Sequence, residues 1–176
     1  VNKIKEVFKS ADVLTHFKPE RKTVLMTDAS HYAMGAVLSQ IVDDKGTEKP
    51  VCFLSKTFDR HQVNYTVTEK ECLAVVWATE VLQTLLLGQT FLLETDHDAL
   101  RYLIQSKDAV GRLARWAMKL QQFDMVVKYR KGEENGAADY VSRLHELPNG
   151  SYEVRHVYDS QYPYTSKRRK GTAEVT

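Results

Sequence analysis

Cysteine is almost missing: the 176-residue chain holds only Cys52 and Cys72. Both lie in apolar segments and form no metal-like pair, so they read as core packing in a reducing compartment. No apolar run is long enough to span a bilayer and no signal peptide precedes the first strand pattern, which predicts no membrane partner. An excess of one charge is missing too. Lysine and arginine number 25 against 23 acids, so any polyanion-binding surface must come from local clustering. No internal repeat is present. Hydrophobic content of 43% excludes global disorder and supplies a core for one domain with tails. The chain begins with Val1 and reads as a piece of a longer polypeptide.

What is present is ordered. Residues 1–20 read as a helix remnant (Ile4, Val7, Phe8) followed by a connector containing Pro19. “KTVLMTDAS” alternates, with Val24, Met26 and Asp28 on one face and Leu25 and Thr27 on the other. “GAVLSQIV” is a second strand, “DDKG” a hairpin turn and “EKPVCFLSK” a third strand, giving an antiparallel meander. “YTVTEKECLAVVWATEVLQTLLLG” is a helix, capped by Thr66 with Glu69 and stopped at Gly88. “FLLET” is a short apolar strand suited to burial on both faces. “HDALRYLIQ” and “GRLARWAMKLQQ” read as helices, “FDMVVKYRKG” as a strand and “NGAADYVSRL” as a final helix. This order implies a mixed sheet with packed helices. From about His145 the pattern fades, so residues 146–176 read as a flexible tail or linker around a domain at 21–145.

Four acids stand where structure alone would place other residues. Asp28 lies near the end of the first strand, Asp96 ends “FLLET”, and Asp139 opens the last helix. Glu71 is the most informative, because Val75, Ala78, Leu82 and Leu85 fall within about 40° of it on a helical wheel. It therefore points at the sheet. A cap on Thr68 is the competing role, but Thr66 and Glu69 supply a better-placed box. A bound cation, a salt bridge or a hydrogen-bonded turn would each compensate the buried charge of Asp28. If the first and fourth strands are neighbours, Asp28, Glu71 and Asp96 converge, and oxygen-only ligands favour Mg²⁺ or Mn²⁺. A two-ion site of that kind performs in-line phosphoryl displacement.

Five blocks in this order, “TDASHYAMGAVLSQ”, “FLSKTFDRHQVNYTVTEKECLAVVWA”, “LLETDHDALRYL”, “GRLARWAMKLQQFDMVVKY” and “RKGEENGAADYVSRL”, closely resemble the ribonuclease H domain of gypsy-type LTR retrotransposon reverse transcriptases. The likeness runs from about Val24 to Leu144, and “VFKSADVLTHFKPERK” resembles the end of the preceding polymerase connection. The resemblance implies an α/β, ribonuclease H-like fold: a five-stranded mixed sheet in the order 3-2-1-4-5 with helices on both faces. It implies cleavage of the RNA strand of RNA–DNA hybrids with Mg²⁺, for which Mn²⁺ can substitute, and metal ligation by Asp28, Glu71, Asp96 and Asp139. It implies as partners the hybrid and the polymerase domain of the same polyprotein, and an intracellular setting, a cytoplasmic virus-like particle. One departure is visible: the loop “RKGEENGAAD” lacks the histidine that cellular ribonucleases H carry there.

Substrate-side candidates are Ser30, His31, His97, Arg115 and Lys128. The histidines follow predicted ligands and suit a hydrogen bond to a carboxylate or phosphate, although surface histidines without a role are commoner. Arg112, Arg115, Lys119 and Lys128 suit phosphates, and a solvated helix face accounts equally for the first three. Trp77 and Trp116 read as core, and “SKRRKG” as a solvated stretch of tail. The alternative to an enzyme is a catalytically weak or inactive nucleic-acid-binding scaffold, which loss of one acid would mark. An integrase or transposase of related fold fits poorly, because its acids would not include a glutamate on this helix.

Overall fold

The computed structural model describes residues 14–96 and 111–130. Alternating β-favouring residues form β1 (Thr23–Ala29), β2 (Ala33–Ile41) and β3 (Glu48–Thr57), joined as the expected antiparallel meander. The turn between β2 and β3 takes Gly46 to φ 82°, a left-handed conformation open to glycine without strain. A short 3₁₀ turn, Gln62–Asn64, leads into α1 (Val67–Val81), then α2 (Gln83–Leu86), β4 (Phe91–Thr95), α3 (Gly111–Leu120) and β5 (Met125–Tyr129). The strand order is β3-β2-β1-β4-β5, with β4 parallel to β1 and β5 parallel to β4. The mixed sheet and its order are those the resemblance implied. The expected helices at 97–105 and 135–144 lie outside the described residues.

Both faces of the sheet are buried. Leu25, Ala36, Leu38, Leu54 and Leu93 face α1, where Cys72, Val75, Val76, Ala78 and Leu82 complete the main core with Leu120 and Phe123. The other phase of the strands sends Val24, Met26, Val37, Phe53 and Leu92 into a second cluster. Each fully buried Leu or Val stabilises the fold by about 1.5–3 kcal/mol. Burial pushes the thiols of Cys52 and Cys72 up to about 12, which keeps them unreactive near neutrality, in line with a packing role.

The start of α1 is fixed by a reciprocal box. The Thr66 amide donates to Glu69 Oε2 at 2.9 Å and the Glu69 amide to Thr66 Oγ1 at 3.2 Å. The helix does not run unbroken to Gly88 as its pattern predicts; it breaks at Leu82 (φ −95°, ψ 13°). There the Leu82 carbonyl accepts both the Leu85 and Leu86 amides, at 2.9 and 3.1 Å. The i→i+3 bond from Leu85 tightens this turn, and it accompanies full burial of both Leu82 and Leu86. The short segment then stops at Gly88, φ 79°.

The chain entering β1 is held against the sheet. The Thr15 amide donates to the Pro50 carbonyl at 2.8 Å on the edge strand β3, and Phe17 packs on the main core. The fully buried Gln40 accepts the Lys18 amide at 2.9 Å and donates to the Lys18 carbonyl at 2.8 Å and to Thr23 Oγ1 at 3.0 Å. Replacing it with an apolar isostere strands these partners. Gln40→Leu is expected to lower the stability of the chain by about 1–3 kcal/mol, read as a lower urea midpoint with an unchanged slope.

Candidate metal centre

Three of the four sequence-selected acids meet at one end of the sheet. Asp28 sits near the C-terminal end of β1, opposite Gly35 of β2. Because β4 runs parallel to β1, its C-terminal end arrives at the same edge, and Asp96 follows directly after Thr95. Helix α1 packs across β1 and β2 and lowers Glu71 onto this edge. Of the residues that the helical wheel placed beside it, Val75, Ala78 and Leu82 are buried, whereas Leu85 lies beyond the break at Leu82 and is half-buried. One carboxylate oxygen from each of Asp28, Glu71 and Asp96 lies within 4.8 Å of the other two.

The electrostatics are unfavourable for three anions alone. Asp28 is 7% exposed and Glu71 4%. Glu71 Oε1 accepts the Ala29 amide at 3.1 Å, which orients the carboxylate toward β1. Its Oε2 is buried without a hydrogen-bond partner among the described residues. Burial first, then the charges of Asp28 and Asp96, push the Glu71 carboxyl up to about 9, against the smaller opposing pull of the Ala29 amide. A buried carboxylate with two others this near is stabilised by either a proton or a cation. The donor set is all oxygen and compact, which fits a hard divalent ion such as Mg²⁺ or Mn²⁺.

Residues 18–123 match the family model described as the RNase H-like domain found in reverse transcriptase. The chain belongs to that family. It is 44% identical over 125 residues to the retrovirus-related Pol polyprotein from transposon 297 of Drosophila melanogaster, covering 71% of this chain and 11% of the polyprotein. It is 38% identical over 151 residues to the transposon Tf2-3 polyprotein of Schizosaccharomyces pombe, covering 82% of this chain and 11% of that one. The chain thus spans about a tenth of the curated relatives it matches. Its fold is shared by the prototype foamy virus protease-reverse transcriptase (TM-score 0.59, 18% identity, 74% of this chain and 18% of that one). The LC11-RNase H1 in complex with RNA/DNA hybrid shares it too (TM-score 0.53, 20% identity, 68% and 93%).

In this RNase H-like domain the remaining candidates are placed unevenly. Asp139 and His97 lie outside the described residues. Ser30 is buried and its hydroxyl is engaged in the turn after β1, donating to the Ala33 carbonyl at 3.0 Å and accepting the Ala33 amide at 3.1 Å. His31 is exposed at the tip of that turn, edge-on to Tyr32 with ring centroids 4.7 Å apart. Arg115 is exposed on α3. Lys128, 62% exposed, pairs with Glu94 at 3.5 Å. Of the other basic candidates, Arg112 pairs with Glu69 and lies over the Tyr65 ring, and Lys119 pairs with Glu80. Trp77 and Trp116 pack against the core, as expected.

Two buried charges were not legible beforehand. Lys70 is buried beside Glu71, its ammonium donating to the His31 carbonyl at 3.0 Å. Glu94, inside β4, is buried under Arg130 (2.5 Å) and Lys128 of the adjacent strand. The signal for Glu94 was the pair of cations two apart, Lys128 on β5 and Arg130 just past its end. Lys70 gave none, since a lysine in a capped amphipathic helix ordinarily faces water.

The raised Glu71 carboxyl makes stability depend on pH with a definite sign. Between its ordinary 4.5 and about 9 the folded chain holds a proton that the unfolded chain has lost, so stability falls as pH rises. In EDTA, Tm is expected to decline across that window, and Glu71→Gln is expected to flatten the decline. A rising or level profile for the parent chain contradicts the assignment.

Proposed function

We propose that this domain cleaves the RNA strand of RNA–DNA hybrids with Mg²⁺, or Mn²⁺ in its place, as a module of a gypsy-type LTR retrotransposon reverse transcriptase polyprotein. The observation that carries the reading is the meeting of Asp28, Glu71 and Asp96 within 4.8 Å, with Glu71 Oε2 buried and without a hydrogen-bond partner among the described residues, on a chain of the reverse-transcriptase RNase H-like family. Asp28, Glu71 and Asp96 would hold the cation, with Asp139 as the fourth ligand that the resemblance implies. A divalent ion bound there supplies charge neutralisation and Lewis-acid activation for in-line displacement at phosphorus.

The chain's own contribution is orientation. The Ala29 amide fixes the Glu71 carboxylate at 3.1 Å, so the ligand set is prearranged and little reorganisation accompanies binding. The duplex is read through backbone shape and 2′-hydroxyls, which distinguish an A-like hybrid without base-specific contacts. His31 stands on the exposed turn that leaves β1 just after Asp28, and Ser30 shapes that turn. His97, next in sequence to Asp96, remains a candidate from its sequence position alone. Arg115 and Lys128 add phosphate contacts, the weak 3.5 Å pairing with Glu94 leaving the Lys128 ammonium open to a stronger anion. The polymerase domain of the same polyprotein is the natural partner for presenting the hybrid, within a cytoplasmic virus-like particle.

Fold analogues support this reading: the foamy virus protease-reverse transcriptase has been solved in complex with RNA/DNA hybrid (TM-score 0.56, 19% identity, 88% of this chain and 19% of that one). A labelled hybrid incubated with the chain is expected to lose its RNA strand in Mg²⁺ and to stay whole in EDTA. Asp28→Asn is expected to reduce the rate by more than about a hundredfold, beyond the usual effect of losing an outer-shell partner, with Tm little changed. Undiminished cutting by that variant overturns the assignment.

A further inference from the structure

We propose that Lys70 is a positioning residue for hybrid binding, acting by tying α1 to the turn that presents His31 and Tyr32; the inference rests on the nuclease reading above and extends it. Lysine is rarely buried unless its charge is paired, yet Lys70 is 6% exposed. Among the described residues its ammonium pairs with no carboxylate. It donates to the His31 carbonyl at 3.0 Å and lies 5.5 Å from the centre of the Phe58 ring. Lys70, Ala74 and Trp77 follow one helical stripe, and Ala74 joins Met34 and Phe58 in a small buried cluster on which Trp77 leans. Taking an ammonium out of water is unfavourable, so a lysine here is retained for what its head group holds.

What it holds is a short stretch of chain beside the acids. Two consecutive helix residues grip it in opposite senses: Glu71 accepts the Ala29 amide, and Lys70 donates to the His31 carbonyl. The rest of the turn is closed by its own bonds. The Ser30 amide donates to the Ala33 carbonyl at 2.8 Å, the Ala33 amide to Ser30 Oγ at 3.1 Å, and the Phe58 amide to the Tyr32 carbonyl at 2.8 Å. Lys70 is thus the cross-link that sets the turn's height over α1, the same helix that sets Glu71. The side chains of His31 and Tyr32 stand free of this scaffold, Tyr32 54% exposed and packed edge-on to the imidazole. An aromatic pair fixed at a set distance from the ligands suits the sugar–phosphate edge of a hybrid.

Lys70→Met keeps the apolar stem and removes the donor. In the full 176-residue chain, amide exchange at Ser30, Ala33 and Phe58 is expected to quicken about tenfold, and KM for a labelled RNA–DNA hybrid to rise about tenfold with kcat within about twofold, the scale of one lost charge-assisted bond. Lys70→Arg, which keeps a cationic donor, is expected to stay near the parent in both readings. A kcat loss at constant KM, or an equal KM rise in both variants, overturns the proposal. Exchange needs no nuclease activity. Unchanged exchange in Lys70→Met therefore overturns the hold on the turn even where the parent cuts hybrid, whereas quickened exchange with an uncut hybrid overturns the nuclease reading alone.

Discussion

Three carboxylates repel one another at the edge of the sheet, and the fold keeps them together all the same. Asp28, Glu71 and Asp96 bring oxygens within 4.8 Å in a place where water is largely excluded. Carboxylates left so close without a counter-charge take up protons, and burial first, then the charges of Asp28 and Asp96, push the Glu71 carboxyl up to about 9. Among the described residues, the arginines and lysines that form ion pairs are engaged elsewhere. The basic side chains Arg112, Lys119 and Arg130 are spent on other acids: Glu69, Glu80 and Glu94.

The fold explains why the repulsion can be borne. A parallel β1–β4 pair aligns two strand ends, and α1 lies across them with its main stripe buried in the core. Apolar burial along α1, β1, β2 and β4 is extensive, and a helix anchored by Val75, Val76, Ala78 and Leu82 cannot tilt away to separate its glutamate from the aspartates. At the other end of the sheet, Gln40 clasps the incoming chain at Lys18. Apolar packing fills the core and Gln40 secures that end, while the repulsion is concentrated at the end that carries the acids. The same helix also bonds the turn bearing His31 and Tyr32, through Glu71 to the Ala29 amide and Lys70 to the His31 carbonyl.

Much of this was legible in the sequence, for reasons that differ by residue. Asp28 and the strand around it were readable because alternation fixes phase. Glu71 was readable because a long capped helix fixes angle, and its deviation from an apolar stripe then stands out. Asp96 was readable from its position at the end of an apolar strand, and strand pairing turned three isolated oddities into a cluster. Lys70 and Glu94 were not readable, because burial of a charge is decided by what another segment brings to it: a carbonyl of the β1–β2 turn in one case, cations of β5 in the other. The break at Leu82 was hidden for a related reason. Leu82 and its neighbours suit an unbroken helix, and the break comes with the burial of Leu86.

The central claim is that the acidic cluster exchanges a proton for a divalent cation. Calorimetric titration of the chain with Mg²⁺ near neutral pH, repeated in buffers of different ionisation enthalpy, measures that exchange directly. The account predicts saturable binding with release of about one proton, because the Glu71 carboxyl held at about 9 must ionise to become a ligand. Binding without proton release, or no binding with all three acids intact, would contradict it.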